Sequence, residues 1–373
     1  MTVIDLFCGC GGLSLGAYEA GLCTSLAVDI DPNLLSAYSI NFPTSRVVNA
    51  DIALLEPEDA KSRWGLSRPT AILGGPPCQG FSIIGRRQVD DPRNGLLRRY
   101  FEYVAYFEPS FFVMENVPGL AYDNNRTVLD SALELVPGKY RILNPLVLDA
   151  ADYGAATSRP RLVVIGYDPS ELDHFEISNV EAMMVEERSD VSAAIRDLPE
   201  PQAAGNGDGW LRYRNDVEPS DYASTMRRLP RQGLGSNEAV NKLGKGLVNG
   251  YQLTRHNEEV TRRFDSLKPG ERDKISKYPR LSWDRPAYVL RAGTGKERGS
   301  YQAARPVHPD QPRVITVREA ARIQGFPDWF QFHPTKWHSH RMIGNSVSPL
   351  FAKAVLGALM SKLGAEQIIQ AAE

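Results

Sequence analysis

DLFCGCGGLSLG, residues 5–16, places a cluster of glycines between an apolar segment and a segment that suits a helix. The apolar segment, VIDLF at residues 3–7, predicts a strand, and residues 14–20 predict the helix that follows. Glycines between a strand and a helix let backbone N–H groups approach a ligand at the carboxyl edge of a sheet. The same turn also fits dinucleotides, so on its own it does not identify the ligand.

This alternation of strand and helix continues through the first half of the chain. A second strand is predicted at residues 26–30, followed by a helix in which Pro32 suits the first turn. Further strands are predicted at residues 46–51, 70–73, 111–115, 141–148 and 161–166. Strands that alternate with helices predict an α/β fold with a parallel, doubly wound sheet.

From about residue 171 the alternation stops. The next stretch is rich in Gly, Asn, Arg and Pro, as in PQAAGNGDGWLRYRND at residues 201–216, and it predicts a second, irregular domain. Helical patterns return at Val317–Gln324 and at residues 348–363. We expect the longer of these two helices to pack back on the sheet.

The composition is that of an ordinary soluble globular protein. The chain has 373 residues, of which 42% are hydrophobic and 24% charged, and this length suits two domains. No apolar run is long enough to span a bilayer and no signal peptide precedes the first strand, so we expect a cytoplasmic protein without membrane contacts. Four cysteines do not make a disulfide scaffold, and His338 and His340 lack nearby metal-binding partners, so no metal site is expected.

The net charge of −2 conceals an uneven distribution. Acids outnumber bases in residues 1–80, whereas arginine and lysine are frequent in residues 82–99 and 255–305. A basic face on a near-neutral protein is compatible with a polyanionic partner, and equally with a solvated surface.

GGPPCQGFS, residues 74–82, holds Cys78 behind two prolines and between glycines. Proline fixes the backbone, and the glycines let another molecule come close. A buried structural cysteine does not need this setting, but a nucleophile does, because it must be held at a defined angle to its target. We therefore interpret Cys78 as a nucleophile.

Two further motifs carry polar residues at predicted strand ends. Glu115, in MENVPG, could carry a proton to a substrate, although it could also be a solvated acid that caps the next turn. Arg159 and Arg161, in SRPRL, could donate to a carbonyl oxygen and support a thiolate, although a surface arginine pair is the alternative.

Acids also follow the second and third predicted strands. Asp29 stands where an acid commonly accepts hydrogen bonds from ribose hydroxyls, and Asp51 could accept from an adenine amino group. These acids could instead cap helices, a task that Asp31 suits better.

Six motifs occur in order along the chain: DLFCGCGG, GGPPCQGFS, ENVPG, SRPRL, REAARIQGFPDWF and RMIGNSVSP. Together they resemble the C5-cytosine DNA methyltransferases, with a gap between about residues 167 and 312. The resemblance implies a Rossmann-like S-adenosylmethionine-dependent methyltransferase sheet with a smaller, irregular target-recognition domain. It also implies a catalytic domain at residues 1–180, target recognition at 181–337 and a C-terminal segment at 338–373 that returns to the catalytic domain.

The resemblance also assigns roles to residues. Cys78 would be the nucleophile, Glu115 the acid, and Arg159 and Arg161 the arginine pair. The implied S-adenosylmethionine-binding residues are Phe7, Gly9, Gly11, Leu13, Asp29, Ile30, Asp51, Ile52, Pro76, Asn345 and Val347. Two departures from the family pattern stand out, since Thr157 replaces a common Gln and GNSVSP replaces GNAVPP at Ser346 and Ser348.

The implied reaction is methyl transfer to C5 of a cytosine flipped out of duplex DNA, through a covalent bond between Cys78 and C6. A compact chain of this kind suits a restriction–modification system, with a cognate endonuclease as a candidate partner, and we expect a monomer on DNA. We predict DNA contacts from the basic loop after Cys78 and from residues 291–305, for which a flexible solvated loop is the alternative. The predicted DNA-contacting residues are Ser82, Arg86, Arg87, Arg93, Arg291, Arg298 and Arg305.

Other functions share parts of this pattern. A transfer-RNA cytosine-5 methyltransferase of the same fold has nearly every motif but typically a shorter recognition region. A nicotinamide oxidoreductase would share only the first motif, and a thymidylate-synthase-like enzyme would lack the glycine-rich turn. A catalytically inactive DNA-binding relative is disfavoured because Cys78, Glu115 and Arg161 are all present.

Overall fold

The computed structural model describes residues 1–77, 94–122, 124–203, 209–293 and 305–364. Its central feature is an eight-stranded sheet with the order β3-β2-β1-β4-β5-β8-β6, in which β7 also pairs with β8. The strands are β1 (Thr2–Leu6), β2 (Cys23–Asp29), β3 (Arg46–Asn49), β4 (Ala71–Gly74), β5 (Phe111–Asn116), β6 (Arg141–Ile142), β7 (Leu146–Asp149) and β8 (Pro160–Tyr167).

The sheet is mostly parallel, with one reversal. Strands β1 to β5 pair in parallel, as predicted, but β8 runs antiparallel to β5, β6 and β7. Residues 150–159 join β7 to β8, and a parallel crossover needs a longer connection. The prediction of a wholly parallel sheet is therefore wrong at this strand. The strand predicted at residues 141–148 also divides in two around Pro145, which has no N–H to donate to a ladder.

Helices cover both faces of the sheet. In the first half they are α1 (Gly12–Glu19), α2 (Pro32–Asn41), α3 (Pro57–Trp64), α4 (Asn94–Phe107) and α5 (Asn124–Leu133). The second half of the chain has further helices, of which α6 and α13 pack on the sheet. They are α6 (Ile177–Glu181), α7 (Val191–Ile195), α8 (Asp221–Met226), α9 (Asn237–Gly244), α10 (Glu258–Asp265), α11 (Val317–Gln324), α12 (Lys336–Asn345) and α13 (Pro349–Met360). The predicted helix at Val317–Gln324 coincides with α11.

Neighbouring residues of β1 face opposite layers. Val3 packs with α1 and with Phe351 of α13, whereas Ile4 packs with Tyr100 and Phe101 of α4. This division follows from the alternation of side chains along a strand. The C-terminal helix thus returns to the sheet, as predicted, and it crosses α1 so closely that a Cβ added at Gly16 would lie 2.3 Å from Ala352 Cβ.

The irregular second half forms its own small elements around a shared core. Its two-stranded antiparallel sheet pairs β9 (Trp210–Arg212) with β10 (Leu247–Asn249). Its apolar residues join a core cluster that also contains Tyr38 and Phe42, and the Phe42 and Phe330 rings lie 6.0 Å apart. The domain limits at residues 180 and 337 remain a prediction.

A buried ion network anchors α11. Arg322 donates to Asp328 at 2.6 and 2.7 Å and to Asp197 at 3.1 and 3.2 Å, and Tyr213 also donates to Asp328. Arg322 and Asp328 are fully buried. Because each charge has a partner, the network holds α11 against α7 without leaving a bare ion in the core.

The described residues include one stretch, Lys336–Met360, that is long and apolar enough to cross a membrane by length and composition, so the expectation that no run is long enough is wrong for this stretch. Its most apolar window is 78% buried within the protein, as in the core helix of a soluble protein.

Candidate active site

A cavity of about 520 Å³ opens at the carboxyl ends of β1, β2, β4 and β5. Ligands of open α/β sheets bind at this edge, where the loops after the strands converge. The end of α12 and the segment that follows it form the opposite wall through Asn345, Ser346 and Val347. The first and last motifs of the chain therefore line the same cavity.

The turn after β1 is held by backbone hydrogen bonds. Phe7 leaves the strand with φ of 62°, an uncommon conformation for a residue with a side chain. Cys8 N then donates to Val28 O at 3.1 Å, and Gly9 N donates to Asp29 Oδ2 at 2.9 Å. This arrangement places Phe7, Gly9 and Leu13 in the cavity wall.

Gly11 has a different environment from the other glycines of this turn. It has φ of 100°, and a Cβ added to it would lie 2.3 Å from the Phe42 ring. It is absent from the described cavity lining, whereas every other predicted cofactor residue is present there. Gly11 therefore shapes the start of α1 without facing the cavity.

Two carboxylates line the cavity at the ends of β2 and β3. Asp29 accepts from Gly9 N and from Asp31 N, each at 2.9 Å, and burial raises the pKa of its carboxyl. Asp51 Oδ1 accepts from Ala53 N at 2.9 Å and so caps the short 3₁₀ turn that contains the buried Ile52. Ile30 is 64% exposed at the mouth of the cavity.

An ion pair that we did not predict from the sequence also lines the cavity. Asp31 caps α2 through Asn33 N and pairs with Arg341 of α12. Burial opposes ionisation of Asp31, but the hydrogen bond and charge of Arg341 outweigh it, and the pKa of Asp31 is lowered. The pair connects the loop after β2 to α12.

Glu115 and Arg161 form a second pair deeper in the cavity. Arg161 Nε lies 2.7 Å from Glu115 Oε1, and both side chains are mostly buried. The segment before Cys78 lies beside them, since a Cβ added at Gly75 would be 3.1 Å from Glu115 Oε2. Asn116 Nδ2 donates to Pro76 O at 3.1 Å and fixes this segment against the end of β5.

Arg159 is buried next to Arg161 but bonds to the backbone. Its Nη1 donates to Leu290 O at 2.9 Å and its Nη2 donates to Gly344 O at 2.7 Å. Burial, with the nearby charge of Arg161, lowers the pKa of Arg159 to about 9. Arg159 thus links the start of β8 to Leu290, in the second half of the chain, and to Gly344 of α12.

The remaining predicted residues are not brought together by the described part of the structure. Cys78, Ser82, Arg86, Arg87, Arg93 and Arg298 lie outside the described residues. Arg291 is exposed, and its backbone packs against Gly344 of α12. Arg305 is half-buried and bonds to Thr254.

Of the residues that depart from the family pattern, Thr157 and Ser346 have local partners, whereas Ser348 Oγ is buried without one among the described residues. Thr157 Oγ1 donates to the carbonyls of Ala287 and Tyr288, so this hydroxyl makes loop contacts itself. Gln324 Nε2 donates to Ser346 O at 2.7 Å, which fixes the loop between α12 and α13 to α11. Across the described ranges, no group of three or more His, Cys, Asp or Glu side chains could hold a metal ion.

The mostly parallel sheet, with a cavity at its carboxyl edge and an acid after β2, defines a Rossmann-like S-adenosylmethionine-dependent methyltransferase fold. The family model for C-5 cytosine-specific DNA methylases matches residues 1–361, and the chain belongs to this family. It is a DNA (cytosine-5)-methyltransferase, and the expectation from the six motifs is confirmed.

Relatives and solved structures agree with this assignment. The chain is 37% identical to the type II methyltransferase M.XorII of Xanthomonas oryzae pv. oryzae over 369 residues, which cover 96% of this chain and 84% of the relative. A crystal structure of a DNA modification methyltransferase encoded within an E. coli prophage matches with a TM-score of 0.85 and 38% identity, over 97% of this chain and 99% of that one. The S. pombe Dnmt2 methyltransferase, at 17% identity and a TM-score of 0.61 over 97% and 98% of the two chains, shares the fold.

Proposed function

We propose that this enzyme transfers a methyl group from S-adenosylmethionine to C5 of a flipped-out cytosine in a specific duplex DNA site, through a covalent bond between Cys78 and C6. The observation that carries the proposal is the Glu115–Arg161 pair beside Gly75 and Pro76, in the same cavity as Asp29 and Asp51. An acid (Glu115), a cation (Arg161) and the backbone that leads to Cys78 then lie next to a space of nucleoside size.

The cavity fits the proposed cofactor. Its volume of about 520 Å³ suits a small-molecule site, and such sites combine apolar walls with a few polar groups. Each Asp29 oxygen accepts one backbone N–H and retains capacity for a ribose hydroxyl. Asp51 would receive the adenine amino group, Phe7, Ile30 and Ile52 would enclose the adenine, and Gly9, Leu13, Pro76, Asn345 and Val347 would line the remainder. When bound, S-adenosylmethionine would supply an electrophilic methyl group, and its sulfur would keep the electron pair of the broken S–CH3 bond as a neutral thioether.

The residues of the chain would act on the cytosine ring. The Cys78 thiolate adds to C6, and the electron pair of the C5–C6 bond becomes available at C5 to take the methyl group. Glu115, in its protonated form, hydrogen-bonds N3, while Arg161 donates to O2 and stabilises the charge that develops there. A base then removes the proton from C5, the C5–C6 double bond returns, and Cys78 leaves with its electron pair.

Arg159 would act as a positioning residue in this scheme. Both of its described hydrogen bonds go to backbone carbonyls, so it holds Leu290 and Gly344 around the Glu115–Arg161 pair. None of these groups can reach a cytosine inside a duplex, and the target base must leave the stack.

The proposal extends to the cellular setting. The similarity to M.XorII, which is named a type II methyltransferase, supports a role in a restriction–modification system with duplex DNA as substrate and a cognate endonuclease as partner. Such an enzyme works in the cytoplasm, and we propose that it acts as a monomer, with sequence choice in residues 181–337.

A trapping experiment tests the proposal. The wild-type enzyme, incubated with S-adenosylmethionine and duplex DNA, should methylate cytosine at C5, and transfer RNA should not be modified. Duplex DNA with 5-fluorocytosine at the target should form a covalent complex, because fluorine at C5 blocks the release of Cys78. Cys78→Ala should abolish both products, by several orders of magnitude in rate, and leave cofactor binding intact.

Cys23→Ala is the matched control, because Cys23 is exposed at the start of β2 and remote from the cavity lining. It should retain trapping and activity. Methylation by Cys78→Ala at more than a small fraction of the wild-type rate would show that this thiol is not the nucleophile.

A further inference from the structure

Two cations of the second half of the chain share one hydroxyl. Arg305 Nη1 donates to Thr254 Oγ1 at 3.0 Å, and Lys336 Nζ lies 3.4 Å from the same oxygen while it donates to Leu253 O at 3.0 Å. Both side chains are half-buried, and Lys336 is the first residue of α12. Two positive charges therefore lie around a neutral oxygen atom.

No carboxylate faces this cluster in the part of the chain that the structure describes. Burial lowers the pKa of Arg305, and burial with the charge of Arg305 lowers the pKa of Lys336. His256 and His340 are also nearby, and burial followed by the charges of Arg305 and Lys336 lowers the pKa of each. The remaining titratable neighbour is Tyr278. The local field is thus positive.

Two other buried cations of this protein, Arg313 and Arg322, have acidic partners. Arg313 makes two hydrogen bonds to Glu319 at 2.8 and 2.9 Å, and Arg322 is held between Asp328 and Asp197. Removing a charge from water without a counter-ion is costly, and those pairs offset the cost. Arg159 and Arg280 are also bonded to neutral carbonyl oxygens, but each does so alone. The cluster at Thr254 differs because two cations share one neutral oxygen.

One donor of the cluster has spare capacity, since Lys336 Nζ has three N–H groups and donates to Leu253 O and Thr254 Oγ1. Arg305 Nε has no hydrogen-bond partner among the described residues, but it is buried away from the surface. Thr254 Oγ1 accepts from the two cations and keeps its own proton to donate. The first turn of the ten-residue helix α12 adds the positive end of a helix dipole, and its N-cap residue, Thr335, makes no side-chain cap.

We propose that Arg305, Lys336 and Thr254 form a preformed site for one backbone phosphate of the DNA substrate. A phosphate supplies the negative charge and the acceptor oxygens that the cluster lacks, and DNA is the polyanion that the proposed function brings to this enzyme. Arg305 would then hold the backbone and not read a base edge.

The position of the cluster predicts which phosphate binds. Lys336 and Asn345 are the two ends of α12, and Asn345 lines the cavity. Nine helical steps span about 14 Å, which is about four base-pair rises of 3.4 Å. The phosphate should therefore lie within about four nucleotides of the target cytosine.

Salt dependence of DNA binding tests the site without knowledge of the recognised sequence. For a duplex of random sequence, Arg305→Gln with Lys336→Gln should weaken binding about tenfold at low salt. The slope of log affinity against log salt should fall by about 0.9, the value for one phosphate. The matched controls are Lys353→Gln and Arg126→Gln, which remove cations paired with Glu19 and Asp130 away from the cluster, and they should leave the slope unchanged.

Neutral methylphosphonate linkages test the same site from the DNA side. Once bisulfite sequencing of DNA methylated by the wild-type enzyme has identified the site, each phosphate near the target is replaced in turn. One position within about four nucleotides should weaken binding of the wild-type enzyme about tenfold and have no added effect on Lys336→Gln. This measurement remains informative if the double variant does not fold.

The two proposals fail in different ways. If the wild-type enzyme does not methylate cytosine in DNA, the proposed function is wrong. If it does, but the slope is unchanged in folded variants and no methylphosphonate position is sensitive, the cluster only supports the loop at residues 253–254. Binding of inorganic phosphate that duplex DNA does not displace would also overturn the site.

Discussion

Asp51 has two tasks if the proposed cofactor site is correct. One oxygen caps the 3₁₀ turn through Ala53 N, and the other would accept the adenine amino group. Asp51→Asn keeps an oxygen for the cap but presents an amide donor to the adenine, so S-adenosylmethionine binding should weaken by about 1–3 kcal/mol. Calorimetry of cofactor binding measures this loss, and Asp51→Ala should show it with an additional loss of stability.

Asp190→Asn is the control for the two Asp51 variants, because Asp190 caps α7 through Ala193 N in the same way but does not line the cavity. Its cofactor affinity should equal that of the wild type. An unchanged affinity in Asp51→Asn would remove Asp51 from the cofactor site.

Asp5 is a buried acid below the glycine-rich turn. Ser14 Oγ donates to Asp5 Oδ2 at 2.6 Å, while Asp5 Oδ1 has no hydrogen-bond partner among the described residues. Burial raises the pKa of Asp5 from 3.8 to about 7. Between about pH 4 and pH 7 the folded state therefore binds a proton that the unfolded state has lost, and the free energy of unfolding falls as pH rises.

Asp5→Asn removes this titration. The free energy of unfolding of the wild type, minus that of Asp5→Asn, should decrease from pH 4 to pH 7 by at most about 1.4 kcal/mol per pH unit and then level off. Urea unfolding at a series of pH values measures the difference. A difference that stays constant across this range would mean that Asp5 does not carry a raised pKa.

The contact between α1 and α13 depends on Gly16. A Cβ there would lie 2.3 Å from Ala352 Cβ and 2.7 Å from Lys353 N, and backbone atoms cannot move aside as a side chain can. Gly16→Ala should separate the helices and lower the free energy of unfolding by about 1–3 kcal/mol. Because Val347 lies just before α13, cofactor affinity should fall as well, and calorimetry measures this second effect.

Gly244→Ala provides the comparison. Gly244 ends α9, and nothing lies within 4 Å of a Cβ added there. Alanine favours helix by up to about 1 kcal/mol over glycine, so this variant should be as stable as the wild type or slightly more stable. Equal stability of Gly16→Ala and Gly244→Ala would contradict the close crossing of the two helices.

The elements nearest the proposed chemistry were the most predictable from sequence. Short apolar runs followed by glycine or an acid indicated β1, β2, β4 and β5, and the carboxyl ends of these strands meet at one edge of the sheet. Strand direction is not encoded in this pattern, because an apolar run looks the same in either direction. The antiparallel direction of β8 is instead a consequence of the short connection between β7 and β8 at residues 150–159.

Charged residues were the least predictable part of the site. Arg341 lines the cavity because it pairs with Asp31, a residue 310 positions away along the chain, and no local pattern indicates such a pair. Arg322 is a charged residue on a short helix, which usually means exposure, yet it is fully buried because Asp197 and Asp328 converge on it. Partners that are distant in the sequence decide where these two charged side chains lie.

Sequence choice is the property that involves the whole molecule, since it requires the second half of the chain to meet the cavity. Arg291 is the described residue best placed for this, because its side chain is exposed and its backbone contacts Gly344 beside the cavity wall. Arg291→Ala should relax the choice of base at one position by about 1–3 kcal/mol if the side chain reads a base edge. Bisulfite sequencing of a random-site library treated with each variant measures the change.

The outcome separates two kinds of contact. If Arg291 holds only phosphate, methylation should weaken on all sites alike and the salt slope should fall by about one. Arg285→Ala is a suitable control, because Arg285 is exposed in the same segment beside Asp284. If neither specificity nor affinity changes in Arg291→Ala, the recognition surface lies elsewhere in residues 181–337.

The first and last motifs line opposite walls of the same cavity, and this arrangement has a consequence for biosynthesis. Cys10 and Met342 both line the cavity and are in contact, although 332 residues separate them. Ribosomes add about 5–20 residues per second, so roughly 17–66 s pass between the synthesis of these two residues. During this time the nascent chain has the glycine-rich turn without its opposite wall. A newly made enzyme should therefore gain cofactor affinity in one late step, when α12 and α13 leave the ribosome and close the cavity.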